Sequence, residues 1–159
     1  MPVISKDVFK EFLFDTIKAK DREWSKVLGG VSNDFVYILA DKLLTNGESI
    51  IIENAFEYEF AKPNLEKLLK GKNINVTEVY CTTDKNIRRN RFKARQESGD
   101  RHLGHVDSLN YLSDNEPEPL EKYRPIELAG SNFIHIDTTD VSLDDTLEMI
   151  LKHIPTRVH

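Results

Sequence analysis

The sequence predicts an α/β fold, a parallel sheet with helices on both faces. Three observations support this. Short apolar runs alternate with segments of helical periodicity. The second run, Ile50, Ile51 and Ile52, is continuously apolar, the pattern of a strand buried on both faces of a parallel sheet. Polar residues follow each run, and ligands in such folds gather at the carboxyl ends of the strands.

The first run covers residues 2–5, and Phe9, Phe12, Leu13 and Ile17 then recur at helical spacing. Residues 21–30 open on a polar stretch with one Trp24 and end in Gly29 and Gly30, which predicts a break. Ser32 or Asn33 then caps a helix carrying Phe35, Ile38, Leu39 and Leu43. Asn46 and Gly47 end that helix, and residues 49–53 form the buried strand, closing on Glu53. The next helix puts Leu65, Leu68 and Leu69 on one side and stops at Gly71. A third strand spans 76–81, and Asp84 caps an arginine-rich helix running to about Glu97. Residues 98–130, with two glycines and three prolines between 99 and 125, read as a long mobile excursion rather than a core element. A last strand at 133–137 precedes the clearest amphipathic helix, carrying Leu143, Leu147, Ile150, Leu151 and Ile154.

A chain of 159 residues, 39% hydrophobic and 31% charged, fits one ordinary globular domain over 1–159. It is long enough to bury about two-thirds of its unfolded surface without metal or disulfide staples. A net charge of -5 argues against a wholesale basic nucleic-acid binder but leaves room for a local basic patch. Cys81 is the single cysteine and forms no internal disulfide, and the first residues lack the apolar core of a signal peptide. The expectation is a cytoplasmic protein. No apolar run approaches the roughly 18 residues that span a bilayer.

Asp7 and Lys10 stand at a strand-to-helix junction, where a carboxylate accepts a proton from a substrate hydroxyl while an ammonium orients it or holds a phosphate. A helix cap by Asp7 explains the same position. Glu53 closes its strand as an acidic residue holding a magnesium shell would, or as a solvated strand end. Arg88, Arg91 and Arg95 lie within about 60° on one helix face, a stripe suited to phosphate oxygens or to solvent. A third alternative pairs this stripe with the acidic segment around Asp114, Glu116 and Glu118. Arg101, His102 and His105 add a cation and two imidazoles to the excursion. Without a second ligand pair at metal spacing, the histidines read as polar contacts in a loop that closes over substrate. Asp137 and Thr138 either meet a nucleotide base or start a turn.

Taken together, these residues resemble the small P-loop kinases related to polynucleotide kinase, the zeta toxins and chloramphenicol phosphotransferase, and bacterial AAA-family ATPases of that type. The likeness runs from Val3, Ile4, Ser5, Lys6 and Asp7 through Arg91-Phe92-Lys93-Ala94-Arg95 and Gly99-Asp100-Arg101-His102-Leu103-Gly104-His105 to Ile136-Asp137-Thr138. The resemblance implies a three-layer P-loop NTPase-like sheet and ATP-dependent phosphotransfer with Mg to a small-molecule or nucleic-acid hydroxyl. It implies Asp7 as the base that activates the acceptor, with Lys10 as its partner. Arg91 and Arg95 would clamp the triphosphate, with Arg88 and Arg101 as neighbours, within a lid and substrate excursion at about 84–130. Glu53 and Asn54 would follow the Walker B strand as metal and substrate residues. His102 and His105 belong with the substrate loop, and Asp137 and Thr138 would lie beside the adenine.

The sequence departs from that family at the phosphate loop. No G-x-x-x-x-G-K-[ST] occurs; Gly71-Lys72 is followed by Asn73, and Glu66 stands where the leading glycine would. The likeness begins at the family's second strand, so the first strand, the loop and the first helix, about 30 residues, are expected to be missing. The family's strand order, 2-3-1-4-5, puts that strand at the centre. The expectation is a truncated or mis-started chain, inactive as a kinase as it stands. Competing expectations are a non-catalytic remnant binding phosphate, nucleotide or RNA, and a homodimer or complementing segment that fills the sheet.

Overall fold

A computed structural model describes residues 1–18, 21–99, 101–105 and 122–154. Within them the chain is a mixed α/β protein with five helices and two parallel two-stranded sheets. It divides into two compact units. One comprises Met1–Lys72 and Asp100–Arg124, the other Asn73–Gly99 and Pro125–His159.

In the first unit, β1 (Val3–Ser5) leads into α1 (Lys6–Ile17) and α2 (Arg22–Thr45), and β2 (Ile51–Glu53) then pairs parallel to β1. The register sets Ile4 beside Ile52 and Ser5 beside Glu53. α3 (Tyr58–Leu69) follows and buries Ala61, Leu65 and Leu68, the side expected for it. Expectation and structure part at residues 21–30. α2 is one helix of 24 residues passing straight through Gly29 and Gly30. Its N-cap is Asp21, whose carboxylate accepts the Trp24 N–H at 2.9 Å, so neither Ser32 nor Asn33 is a cap. Ser32 instead donates its hydroxyl to the Leu28 carbonyl one turn back. The reason is packing. Ser25, Leu28, Ser32, Val36 and Ala40 recur every three or four residues and are all buried. Two interior glycines cost a helix about 2 kcal/mol, which is offset by burying side chains worth about 1.5–3 kcal/mol each.

The second unit joins β3 (Thr77–Thr82) to β4 (Asn132–Asp137) in parallel, with α4 (Lys85–Glu97) as the crossover and α5 (Leu143–Leu151) after β4. Ile134 and Ile136 are buried, and so is Phe92 of α4. Residues 98–130 are expected to hold no core element, and at their far end the structure differs. Ile126 and Leu128 are core residues, and Glu78 ties down the segment around them. Its carboxylate accepts the N–H groups of Glu127 and Leu128 and the hydroxyl of Ser131. Residues 106–121, the bulk of the excursion, lie outside the described residues.

Two expectations about burial fail. β2 is not enclosed: Ile51 is 44% exposed and Ile52 is half-buried, because the strand has a neighbour on one side only among the described residues. α5 buries none of its apolar stripe, and Leu143 is 89% exposed. No helix of the described residues is long and apolar enough to cross a membrane.

Urea denaturation separates these contributions. Leu28, 2% exposed, should cost about 2–5 kcal/mol on replacement by alanine, whereas Leu143→Ala should change stability by less than about 0.5 kcal/mol. A Cβ on Gly30 would meet no atom within 4 Å, so Gly30→Ala should stabilise by up to about 1 kcal/mol.

Candidate functional site

Parallel pairing brings the carboxyl ends of two strands together, and each unit gathers polar side chains there. In the first unit Ser5 donates its hydroxyl to Glu53 Oε2 at 2.6 Å across the β1–β2 pair. Ser5 is also the N-cap residue of α1, but with its hydroxyl turned to Glu53 it makes no side-chain cap. Asp7 is therefore not the cap. It sits exposed in the first turn of α1, where a carboxylate complements the helix dipole, and half-buried Lys10 follows one turn on. Asn54, directly after Glu53, donates from Nδ2 to Asn33 Oδ1 of α2 at 2.8 Å. Ser5, Glu53, Asn54 and Asn33 thus make a small oxygen- and amide-rich patch beside the start of α1.

Arg101, His102 and His105 belong to the same unit. His102 accepts the Gly104 N–H on Nδ1 at 3.0 Å and faces Asp15 through Nε2 at 3.2 Å. His105 Nε2 bonds Glu11 Oε1 at 2.8 Å. Both nitrogens of His102 are therefore engaged within the protein.

In the second unit Thr82, Thr83, Asp84, Asp137, Thr138 and Thr139 cluster at the ends of β3 and β4. Arg91 Nη2 donates to the carbonyls of Thr138 at 2.8 Å and Thr139 at 3.3 Å, and its Nη1 reaches the Thr138 hydroxyl at 3.3 Å. This brings together three of the residues singled out from sequence: Arg91, Asp137 and Thr138. Asp84 caps α4 as expected, accepting the Asn86 and Ile87 N–H groups, and its own N–H donates to the Thr139 hydroxyl at 2.8 Å. Asp137 Oδ1 accepts both the hydroxyl and the N–H of Thr139, and these bonds hold its carboxyl below the usual carboxylate range. Arg95 is exposed and Arg88 half-buried on the same helix. Burial pushes the Cys81 thiol up, which disfavours the thiolate.

The residues expected at one site thus divide between the two units: Asp7, Lys10, Glu53, Asn54, Arg101, His102 and His105 in one, Arg88, Arg91, Arg95, Asp137 and Thr138 in the other. The acidic segment proposed to face the arginines, around Asp114, Glu116 and Glu118, lies outside the described residues. Sequence reasoning missed Glu11 and Asp15. The signal for both was their spacing, at four and eight residues after Asp7. Among the described residues no group of three or more His, Cys, Asp and Glu side chains is placed to hold a metal by itself. Magnesium, which binds through one or two carboxylates with phosphate and water completing its shell, does not require such a group. The hard oxygen donors of Glu53 and Ser5 fit that chemistry.

No family model matches the chain, and no curated protein matches it. Among solved structures it is similar to a candidate kinase from Chloroflexus aurantiacus, with a TM-score of 0.80 and 26% identity. That match covers 98% of this chain and 85% of the other. The fold is kinase-like.

The Asp137 geometry is testable by pH. Its folded value lies below its unfolded one, so the Thr139 bonds contribute stability above the unfolded value and lose it as pH falls through the folded one. Thr139→Val should raise the Asp137 midpoint seen by NMR titration, and the stability gap between variant and parent should narrow over that acid window.

Proposed function

We propose that the chain is the acceptor-side and phosphate-clamp part of an ATP-dependent phosphotransferase acting on a hydroxyl of a small molecule or nucleic-acid end. The observation that carries this reading is the kinase-like fold over 98% of the chain. The polar clusters at the carboxyl ends of both strand pairs support it, since a parallel sheet binds ligands there. In this reading Asp7 accepts the proton of the acceptor hydroxyl and Lys10 orients the acceptor or its phosphate. Glu53, with Asn54 beside it, serves a magnesium shell, and Arg95, Arg91, Arg88 and Arg101 neutralise charge on the transferring phosphates. Asp137 and Thr138 frame the base.

The 159 residues contain no G-x-x-x-x-G-K-[ST]. Backbone N–H groups of that loop cradle the phosphates, and its lysine and hydroxyl serve the phosphates and magnesium. We therefore expect the chain alone to be inactive, and transfer to need such a segment.

A second reading rests on α4, which carries Lys85, Arg88, Arg89, Arg91, Lys93 and Arg95 against one carboxylate, Glu97. On it the chain binds phosphate, nucleotide or RNA without catalysis.

The two are separated by one pair of experiments. Fused behind a strand–G-x-x-x-x-G-K-[ST]–helix segment, the chain should acquire MgATP-dependent transfer that Asp7→Asn lowers by at least about 100-fold while nucleotide binding is kept. Transfer that survives Asp7→Asn removes Asp7 as the base. If only binding is found, single-stranded RNA affinity should fall with salt, and Arg95→Ala should flatten the log–log slope by about one. Arg95 is the residue to change, because Arg91 also holds the Thr138 turn.

A further inference from the structure

Residues 101–105 lie across the first two helices with almost no apolar anchoring. Leu103, the one large aliphatic side chain among them, is 82% exposed. What holds the turn is polar. His105 Nε2 bonds Glu11 at 2.8 Å, His102 Nε2 faces Asp15 at 3.2 Å, and buried Ser25 of α2 donates its hydroxyl to the Gly104 carbonyl at 3.0 Å. Because Gly104 donates its N–H to His102 Nδ1, that nitrogen is the acceptor and Nε2 carries the proton directed at Asp15. The imidazoles of His102 and His105 meet edge to face at 6.4 Å, and Phe14 meets His102 in the same way at 5.8 Å. A Cβ on Gly104 would stand 3.0 Å from His102 Nδ1 and 3.2 Å from Phe14, so glycine permits this approach.

Glu11 and Asp15 follow Asp7 at intervals of four residues, so the three carboxylates share one face of α1 within about 80°. The turn climbs this face from Asp15 to Glu11 and brings His105 to within one helical turn, about 6 Å of axial rise, of the exposed carboxylate of Asp7. We infer that Glu11 and Asp15 are positioning residues: they latch the 101–105 turn through the His105–Glu11 hydrogen bond and the close His102–Asp15 contact, making it a wall beside Asp7. The role of that wall in acceptor binding rests on the phosphotransferase reading; the latch itself does not.

Trypsin cleavage after Arg101, followed by mass spectrometry on the folded chain, tests the latch with neither nucleotide nor acceptor present. A turn latched by such contacts opens locally, without global unfolding, when they are removed. Glu11→Ala with Asp15→Ala should speed that cut on the order of 10-fold or more, while cleavage in α4 stays at the parent rate as the control for intact folding. Glu11→Gln with Asp15→Asn keeps an oxygen that accepts the imidazole N–H, so it should stay within about threefold of the parent. Parent-like cleavage of the alanine pair overturns the inference. So does an amide pair that is cut as fast as the alanine pair. Should the latch behave as expected while Asp7→Asn leaves transfer intact, the base assignment falls and the latch stands.

Discussion

Parallel pairing of strands is the constraint from which the rest of this protein follows. Two parallel strands must be joined by a crossover, and both carboxyl ends then lie at one edge. β1 and β2 are linked through α1 and α2, and β3 and β4 through α4. Each crossover helix consequently starts within hydrogen-bonding reach of the neighbouring strand's end. Ser5 at the head of α1 meets Glu53, and Asp84 at the head of α4 meets Thr139. The polar clusters are products of topology before they are products of any chemistry.

Each cluster ties its side chains into the local structure. Ser5 gives up capping α1 to bond Glu53, which leaves the first-turn N–H groups of that helix without a side-chain cap beside Asp7. Arg91 spends its guanidinium on the carbonyls of Thr138 and Thr139 and so shapes the turn that Asp137 also braces. By contrast, the Glu78 contacts lie at the amino-terminal end of β3, away from these clusters. They hold a turn in which Glu127 has a left-handed φ of 53°, a conformation that costs free energy outside glycine. A polar network at the wrong end of the strands stabilises structure only.

The apolar surface is the other consequence. A two-stranded sheet is marginal unless something covers or extends it, and here Ile51, Val79, Phe133, Leu143 and Leu147 remain exposed.

The sequence alone determined the number, order and type of most elements, because the alternation of apolar runs with helical periodicity reflects local burial. The Asp84 cap was legible for the same reason: a side chain bonding N–H groups two and three residues ahead is a local event. Local signals misled at Gly29 and Gly30, where the packing of Ser25, Leu28, Ser32, Val36 and Ala40 outweighs a helix penalty. They also misled at residues 49–53, where an apolar run predicts burial that depends on neighbouring strands. Only the tertiary structure decided which candidate residues share a unit. It brought Arg91 to Thr138 across 47 residues of sequence and His105 to Glu11 across 94. Such pairings are set by the crossovers and by close approach at Gly104, neither of which leaves a periodic trace along the chain.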